Sequence, residues 1–147
     1  MNNSKNLKNF APKMKKVTKN YSLDQISQLE LDIHNWDIIF LYGDLWAGKT
    51  TLAQSILKNH FWVTDTITSP TYTYYNKYNW VYHFDLYRLE NYDWFFAIGW
   101  EDVLDSWSTC LIEWPQILEW TYKPDIIIKL TKTNEESMRE ITIEYKK

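Results

Sequence analysis

Eight consecutive residues in the first third of the chain match the phosphate-binding pattern G-x-x-x-x-G-K-[ST]. They are Gly43, Asp44, Leu45, Trp46, Ala47, Gly48, Lys49 and Thr50, and Thr51 follows them. Backbone N–H groups of such a loop bind phosphate oxygens, together with the N-terminus of the helix that the loop opens. Lys49 is expected to reach the β- and γ-phosphates, and the Thr50 hydroxyl to bind Mg²⁺. The alternative is a strand-to-helix turn that holds no ligand.

Two carboxylates end strand-like segments and are candidates for chemistry on the same phosphates. Glu113 ends the apolar run 109–113, where P-loop enzymes usually place an acidic residue near the metal. The alternative is a surface glutamate that simply ends a strand. In residues 81–86, period-two spacing puts His83 and Asp85 on a polar face opposite an apolar one. Asp85 could therefore orient an attacking water or hold a metal-bound water.

Six further residues are candidates for sensing the nucleotide or a partner: Ser69, Pro70, Thr71, His83, Arg88 and Trp114. Proline restricts Ser69 to extended geometry, and Thr71 could then sense the γ-phosphate, although an ordinary turn explains this segment more simply. Arg88 could stabilise phosphate charge or form a salt bridge. Trp114 could stack over the nucleotide or pack in the core. His83 could instead be a structural histidine.

The pattern of the remaining chain predicts the elements that position these residues. Helices are expected where apolar residues repeat every three or four positions, and strands where they alternate or form short runs. We predict helices over 22–34, 49–60 and 91–104 (interrupted near Gly99), and strands over 37–42, 71–78, 81–86, 109–113, 126–130 and 139–145. Early alternation of strands with helices, followed by hairpins, favours a three-layer α/β fold of the P-loop NTPase type with a mixed central sheet.

Composition limits the class of protein. The 147 residues suit one domain, which we place at 18–147 after a lysine-rich flexible tail at 1–17. Contact of the tail with tRNA or a partner is the lesser alternative. A net charge of −3 gives no basic field for direct nucleic-acid binding. The single cysteine and the lack of an apolar run of about 20 residues point to a cytoplasmic protein without a membrane segment.

Five motifs in order resemble the TsaE (YjeE) family of bacterial tRNA-modification ATPases. They are the loop L-Y-G-D-L-W-A-G-K-T-T, S-P-T-Y-T at 69–73, H-F-D-L-Y-R-L at 83–89, the segment from Ile98-Gly99 to Leu104, and L-I-E-W at 111–114. The resemblance implies an ATP-hydrolysing accessory subunit of the machinery that makes threonylcarbamoyladenosine in tRNA. It implies docking on the TsaD and TsaB proteins, with no transfer of the threonylcarbamoyl group by this chain. It also implies that Thr50 and Glu113 hold Mg²⁺, while Asp85 and Lys49 serve ATP hydrolysis.

Two other functions share the phosphate loop. A small-molecule kinase usually carries several arginines in a lid, whereas this chain has only Arg88 and Arg139. A nucleotide-binding assembly subunit without turnover would not need Asp85.

The counts of glycine and tryptophan are both unusual. The chain has 3 Gly and 9 Trp, whereas an average Gly usage of about 7% would give roughly ten. Five tryptophans lie where glycine would be natural: Trp36, Trp46, Trp62, Trp80 and Trp107. The TsaE family has glycine at the position of Trp46. Some bacteria read the codon UGA as glycine and others read it as tryptophan, so translation with the wrong code would explain both counts. The alternative is a genuinely aromatic-rich sequence.

Overall fold

The computed structural model describes residues 15–68, 70 and 74–146, and these residues form a seven-stranded sheet with helices on both faces. The strands are β1 (Lys15–Ser22), β2 (Ile38–Gly43), β3 (Tyr75–Tyr78), β4 (Val81–Asp85), β5 (Thr109–Glu113), β6 (Ile126–Lys132) and β7 (Met138–Tyr145). The helices are α1 (Lys49–Phe61), α2 (Tyr92–Ala97) and α3 (Trp100–Leu104), with 3₁₀ helices at Leu23–Gln28 and Pro115–Leu118.

The sheet has the strand order β1-β7-β6-β2-β5-β4-β3. Its centre is parallel, because β2 pairs with β5 and β6, and β4 pairs with β5. Its edges are antiparallel, through β1 with β7, β6 with β7 and β3 with β4. Because the central strands are parallel, the carboxyl ends of β2, β4 and β5 lie side by side at one end of the sheet, where α/β proteins bind ligands.

The sheet has a hydrophobic core on each of its two faces. Because both faces are apolar, each must be covered by helices, which gives three layers. Alternation along β2 sends Leu41 to the core under α1 and Phe40 to the core under α2 and α3. The predicted inward face of α1 is confirmed, since Leu52 and Ile56 are each 1% exposed. The prediction of a three-layer α/β fold with a mixed sheet is therefore confirmed.

The predicted helix over 22–34 is wrong beyond Gln28. Only Leu23–Gln28 is helical, as a 3₁₀ helix whose start is supported by the Gln25 side chain accepting from Ser22 N–H. From Leu29 to Ile33 the chain is not helical, and buried and exposed side chains alternate. This period of two is typical of extended backbone. The apolar spacing used for the helix thus missed buried Leu31.

Strand β1 begins inside the segment that we predicted as tail. Lys15, Lys16 and Val17 pair with β7 at Tyr145, Glu144 and Ile143. Lysine-rich edge strands are common because charge discourages pairing with another sheet. Residues 1–14 lie outside the described part of the chain.

The other predicted elements match closely, except for the predicted strand over 71–78. Only Tyr75–Tyr78 of it is a strand, and residues 71–73 lie outside the described part of the chain. The two helices α2 and α3 meet at Gly99, whose φ of 82° breaks the helical segment where predicted. Strand β5 has the predicted bounds, and the hairpin turn between β3 and β4 falls at residues 79–80. Among the described residues, no helix is long and apolar enough to cross a membrane.

Candidate functional site

The phosphate loop connects the end of β2 to the start of α1, as its sequence predicts. Two of its glycines are required by the backbone. A Cβ on Gly43 would lie 2.9 Å from the carbonyl oxygen of Leu130, and Gly48 has a φ of 107°. The loop lines a cleft of about 550 Å³, which also includes Asp85, Tyr87, Glu113 and Trp114.

Lys49 is folded over the loop that precedes it. Its Nζ donates hydrogen bonds to the carbonyl oxygens of Gly43 and, at 2.8 Å, of Asp44. The same atom lies 4.2 Å from the ring centroid of Trp114. Burial lowers the pKa of Lys49, while the carboxylates of Glu113, Asp85 and Asp44 oppose that shift. The ammonium group is therefore held beside the carboxylates of the cleft.

Glu113 contacts both Thr50, the other predicted metal ligand, and His83. Its Oε1 accepts a hydrogen bond of 3.0 Å from Thr50 Oγ1, across 63 residues of sequence. Its Oε2 lies 2.6 Å from Nε2 of His83. Glu113 is 1% exposed, which excludes the alternative of a surface glutamate that ends a strand. Thr50 and Glu113 thus offer two adjacent oxygen ligands of the kind that Mg²⁺ prefers.

Asp85 reaches the same cleft from the neighbouring strand. It lies opposite Glu113 in the parallel register of β4 and β5. Its Oδ1 accepts from the backbone N–H of Tyr87 at 3.0 Å, which sets the orientation of the carboxylate. The Tyr87 and Trp114 rings contact each other at 4.8 Å and form one wall of the cleft beside Lys49.

His83 lies elsewhere than its predicted polar surface. The predicted apolar face of β4 is confirmed at Phe84 and Leu86, but the opposite face is covered too, and His83 is fully buried. Its Nδ1 has no hydrogen-bond partner among the described residues, so its one polar contact there is with Glu113. This geometry makes His83 a support for Glu113 and removes it from any surface that a partner could touch.

Of the other sensing candidates, the structure describes only Arg88 and Pro70, and neither of these lines the cleft. Arg88 is exposed and lies in a separate depression beside Trp94 and Ile98. Pro70 is buried, and Ser69 and Thr71 lie outside the described residues. Their predicted roles at the γ-phosphate remain predictions.

Arg139 is a residue of the site that sequence reasoning missed. It enters from β7, is 6% exposed, and donates from Nε to the Ala47 carbonyl at 2.9 Å and from Nη2 to the Trp46 carbonyl at 3.3 Å. Its Nη1 donates to the carbonyls of Glu136 and Met138. Arg139 therefore ties the phosphate loop to the far side of the sheet. The sequence offered one signal for this role: Arg139 is one of only two arginines and lies near the start of a predicted strand. That signal did not indicate contact with the phosphate loop.

We expect Arg139→Lys to loosen the phosphate loop while keeping the charge. Lysine lacks the planar group that serves several carbonyls at once, and each buried carbonyl left unpaired costs about 1–3 kcal/mol. The melting temperature should fall by at least roughly 4 °C, and nucleotide affinity should fall with it. Thermal unfolding and nucleotide titration measure both. The control is Lys58→Arg at the exposed end of α1, which should change neither the melting temperature nor the affinity. Equal effects of the two variants would refute the role of Arg139 in holding the loop.

Comparison with known proteins agrees with this architecture. The family model described as "Threonylcarbamoyl adenosine biosynthesis protein TsaE" matches residues 1–141. A tRNA threonylcarbamoyladenosine biosynthesis protein TsaE of Nostoc sp. is 36% identical over 86% of this chain and 85% of its own length. The TsaE protein of Rickettsia prowazekii is 33% identical over 77% and 78%. The match to the Rickettsia felis TsaE protein, at 37% identity, covers 62% of this chain and only 55% of that protein.

A solved structure shares the fold. The crystal structure of Bacillus subtilis YdiB superposes with a TM-score of 0.66 at 21% identity, covering 91% of this chain and 88% of that one. The phosphate loop, the seven-stranded mixed sheet and the match to the family model over residues 1–141 lead to one conclusion. This chain belongs to the TsaE family of tRNA threonylcarbamoyladenosine biosynthesis proteins.

Proposed function

We propose that this chain is a Mg²⁺-dependent ATPase that serves tRNA threonylcarbamoyladenosine synthesis as an accessory subunit beside TsaD and TsaB homologues. The observation that carries the proposal is the convergence of Lys49, Thr50, Asp85 and Glu113 on one cleft at the carboxyl edge of the parallel strands. Hydrolysis would reset the complex between turnovers, and this chain would not itself transfer the threonylcarbamoyl group.

The residues present fit a magnesium ion. Thr50 and Glu113 present hard oxygen donors 3.0 Å apart. Mg²⁺ bound with nucleotide keeps several waters and needs only one or two protein carboxylates. When bound, the ion would neutralise charge on the phosphates.

Each side chain of the cleft has a separate task in the proposed hydrolysis. Lys49 would bind the β- and γ-phosphates from its place above the loop. Asp85, whose orientation is set by Tyr87 N–H, would orient the attacking water. His83 would hold Glu113 in place by its bond to Oε2, leaving Oε1 on the side of Thr50. Trp114 and Tyr87 would exclude bulk water from that side of the cleft.

The placement of the arginines argues against the kinase alternative. Arg139 is engaged by backbone carbonyls of the loop and its surroundings, and Arg88 lies outside the cleft. Neither is positioned to clamp a phosphate in transfer. The presence of Asp85 in the cleft argues against an assembly subunit without turnover. Comparison of ATP with a non-hydrolysable analogue in the reconstituted tRNA modification tests that second alternative.

Hydrolysis by the isolated chain is expected to be slow and to rise when TsaD and TsaB homologues are added. The reason is that no arginine lies in the cleft to stabilise charge developing on the γ-phosphate, and such a group supplied by a partner is worth about 10³–10⁵-fold in other P-loop enzymes. We expect at least about a tenfold rise. Phosphate release measured with and without the pair tests this, in parallel with tRNA modification.

Lys49→Ala serves as the control in that experiment and should stay inactive with the pair present. An isolated chain that already turns over at full rate, indifferent to the pair, would contradict the proposal.

A further inference from the structure

Five tryptophans have a backbone conformation that tryptophan rarely adopts, and four of them are exposed. The φ angles are 72° at Trp36, 64° at Trp46, 50° at Trp62 and 57° at Trp107. The left-handed region brings Cβ too close to the backbone of any L-residue other than glycine, and bulky residues are outliers there. Four such cases in one chain require a common explanation.

Side-chain contacts do not provide that explanation. The exposed fractions are 58% for Trp36, 88% for Trp46, 76% for Trp62 and 77% for Trp107. Trp36 and Trp107 contact each other edge to face at 6.3 Å. Tryptophan is normally well buried, because its large apolar surface is what stabilises it in a fold. The described structure thus gives these four side chains little burial to compensate for backbone strain.

Two other tryptophans, Trp100 and Trp114, have packing contacts and serve as internal references. Trp100 is 6% exposed and packs among aromatic rings of the core under α2 and α3. Trp114 also has a positive φ, of 57°, but its ring packs against Tyr87 and Lys49, and Pro115 after it disfavours the ordinary helical conformation. Trp114 therefore has both a packing and a local reason for its geometry.

The four positions are also those where turns use glycine. Trp62 is the left-handed C-cap of α1, with its N–H bonded to the carbonyl of Leu57. Trp46 is in the phosphate loop, where the backbone must approach phosphate closely. Trp36 and Trp107 lie in turns just before β2 and β5. The prediction that glycine would also be natural at Trp80 is not supported. The residue with a left-handed backbone in that hairpin turn is Asn79.

We propose that the native cell places glycine at positions 36, 46, 62 and 107, because it reads UGA codons there as glycine. The exchange would raise glycine from three residues to seven and lower tryptophan from nine to five, which moderates both unusual counts. The phosphate loop becomes G-D-L-G-A-G-K-T, and an 88%-exposed indole leaves the rim of the cleft. The strain lies in the backbone at these four positions, so glycine is expected there whatever the chain hydrolyses.

The gene and the native protein decide the proposal directly. We expect UGA at codons 36, 46, 62 and 107 and UGG at codons 100 and 114. Peptides of the protein purified from its own cells should carry the mass of glycine at the four positions and of tryptophan at 100 and 114. A UGG codon, or the mass of tryptophan, at any of the four overturns the proposal for that position.

Recombinant variants test the physical argument separately. The chain with tryptophan at 46 is compared with Trp46→Gly and Trp46→Ala, since only glycine relieves the left-handed strain while both remove the indole. Trp46→Gly should bind MgATP about fivefold or more tighter than both others. The combined glycine variant at all four positions should melt roughly 5–10 °C higher than the parent.

A glycine variant that binds no tighter than Trp46→Ala, or a combined variant that melts no higher, would overturn the strain argument. If none of the proteins binds ATP, the proposed ATPase function fails instead, and the codons and the melting temperature still decide this inference.

Discussion

Lys49→Ala is expected to abolish MgATP binding, with an affinity at least about a hundredfold below the parent. The ammonium group is held over the loop by the carbonyls of Gly43 and Asp44, where it can exchange those contacts for charge-assisted bonds to phosphate. Without the Lys49 side chain, only the uncharged backbone N–H groups of the loop would remain to bind the phosphates. Calorimetric titration with MgATP measures the loss.

The control for this variant is Lys58→Ala on the same helix. Lys58 is exposed near the end of α1, so Lys58→Ala removes the same charge far from the loop. It should bind MgATP like the parent, and both variants should be checked for folding by thermal unfolding. If Lys49→Ala keeps its affinity within a few-fold, the loop is not a nucleotide site.

Substitutions of the two carboxylates should have different effects on binding and on hydrolysis. Glu113→Gln and Glu113→Ala should weaken Mg²⁺-dependent ATP binding by about tenfold or more, since a metal ligand stabilises the bound ground state too. Asp85→Ala and Asp85→Asn should bind MgATP within about threefold of the parent but hydrolyse it at least about a hundredfold more slowly. Affinity is measured with and without Mg²⁺, and hydrolysis at saturating ATP in the presence of the partners.

The choice of variants follows from the contacts of each carboxylate. Glu113→Ala also leaves buried His83 and Thr50 without their partner, so the shape-conserving Glu113→Gln is needed to separate metal binding from stability. Asp102→Ala, an exposed carboxylate on α3, is the control. Variants at 85 and 113 that bind and hydrolyse like the parent would refute the site assignment.

Much of this protein follows from local sequence alone. The phosphate loop, the helix that it opens and the strand Thr109–Glu113 are found where the sequence predicts them. These features depend on near neighbours: glycines where the backbone requires them, a continuous apolar run, and an apolar face repeating along one helix. The left-handed backbone at positions 36, 46, 62 and 107 follows from the same reasoning, because turn chemistry is local as well.

Tertiary structure alone decided how the site is assembled. The bond between Thr50 and Glu113 spans 63 residues, and Arg139 reaches Ala47 across 92. The burial of His83 depends on α1 covering a face of β4 that looks polar in sequence, and β1 becomes a strand only by pairing with β7. Strand order and layer packing are set by summed burial over the whole chain, so the spacing of residues within one segment carries no record of them.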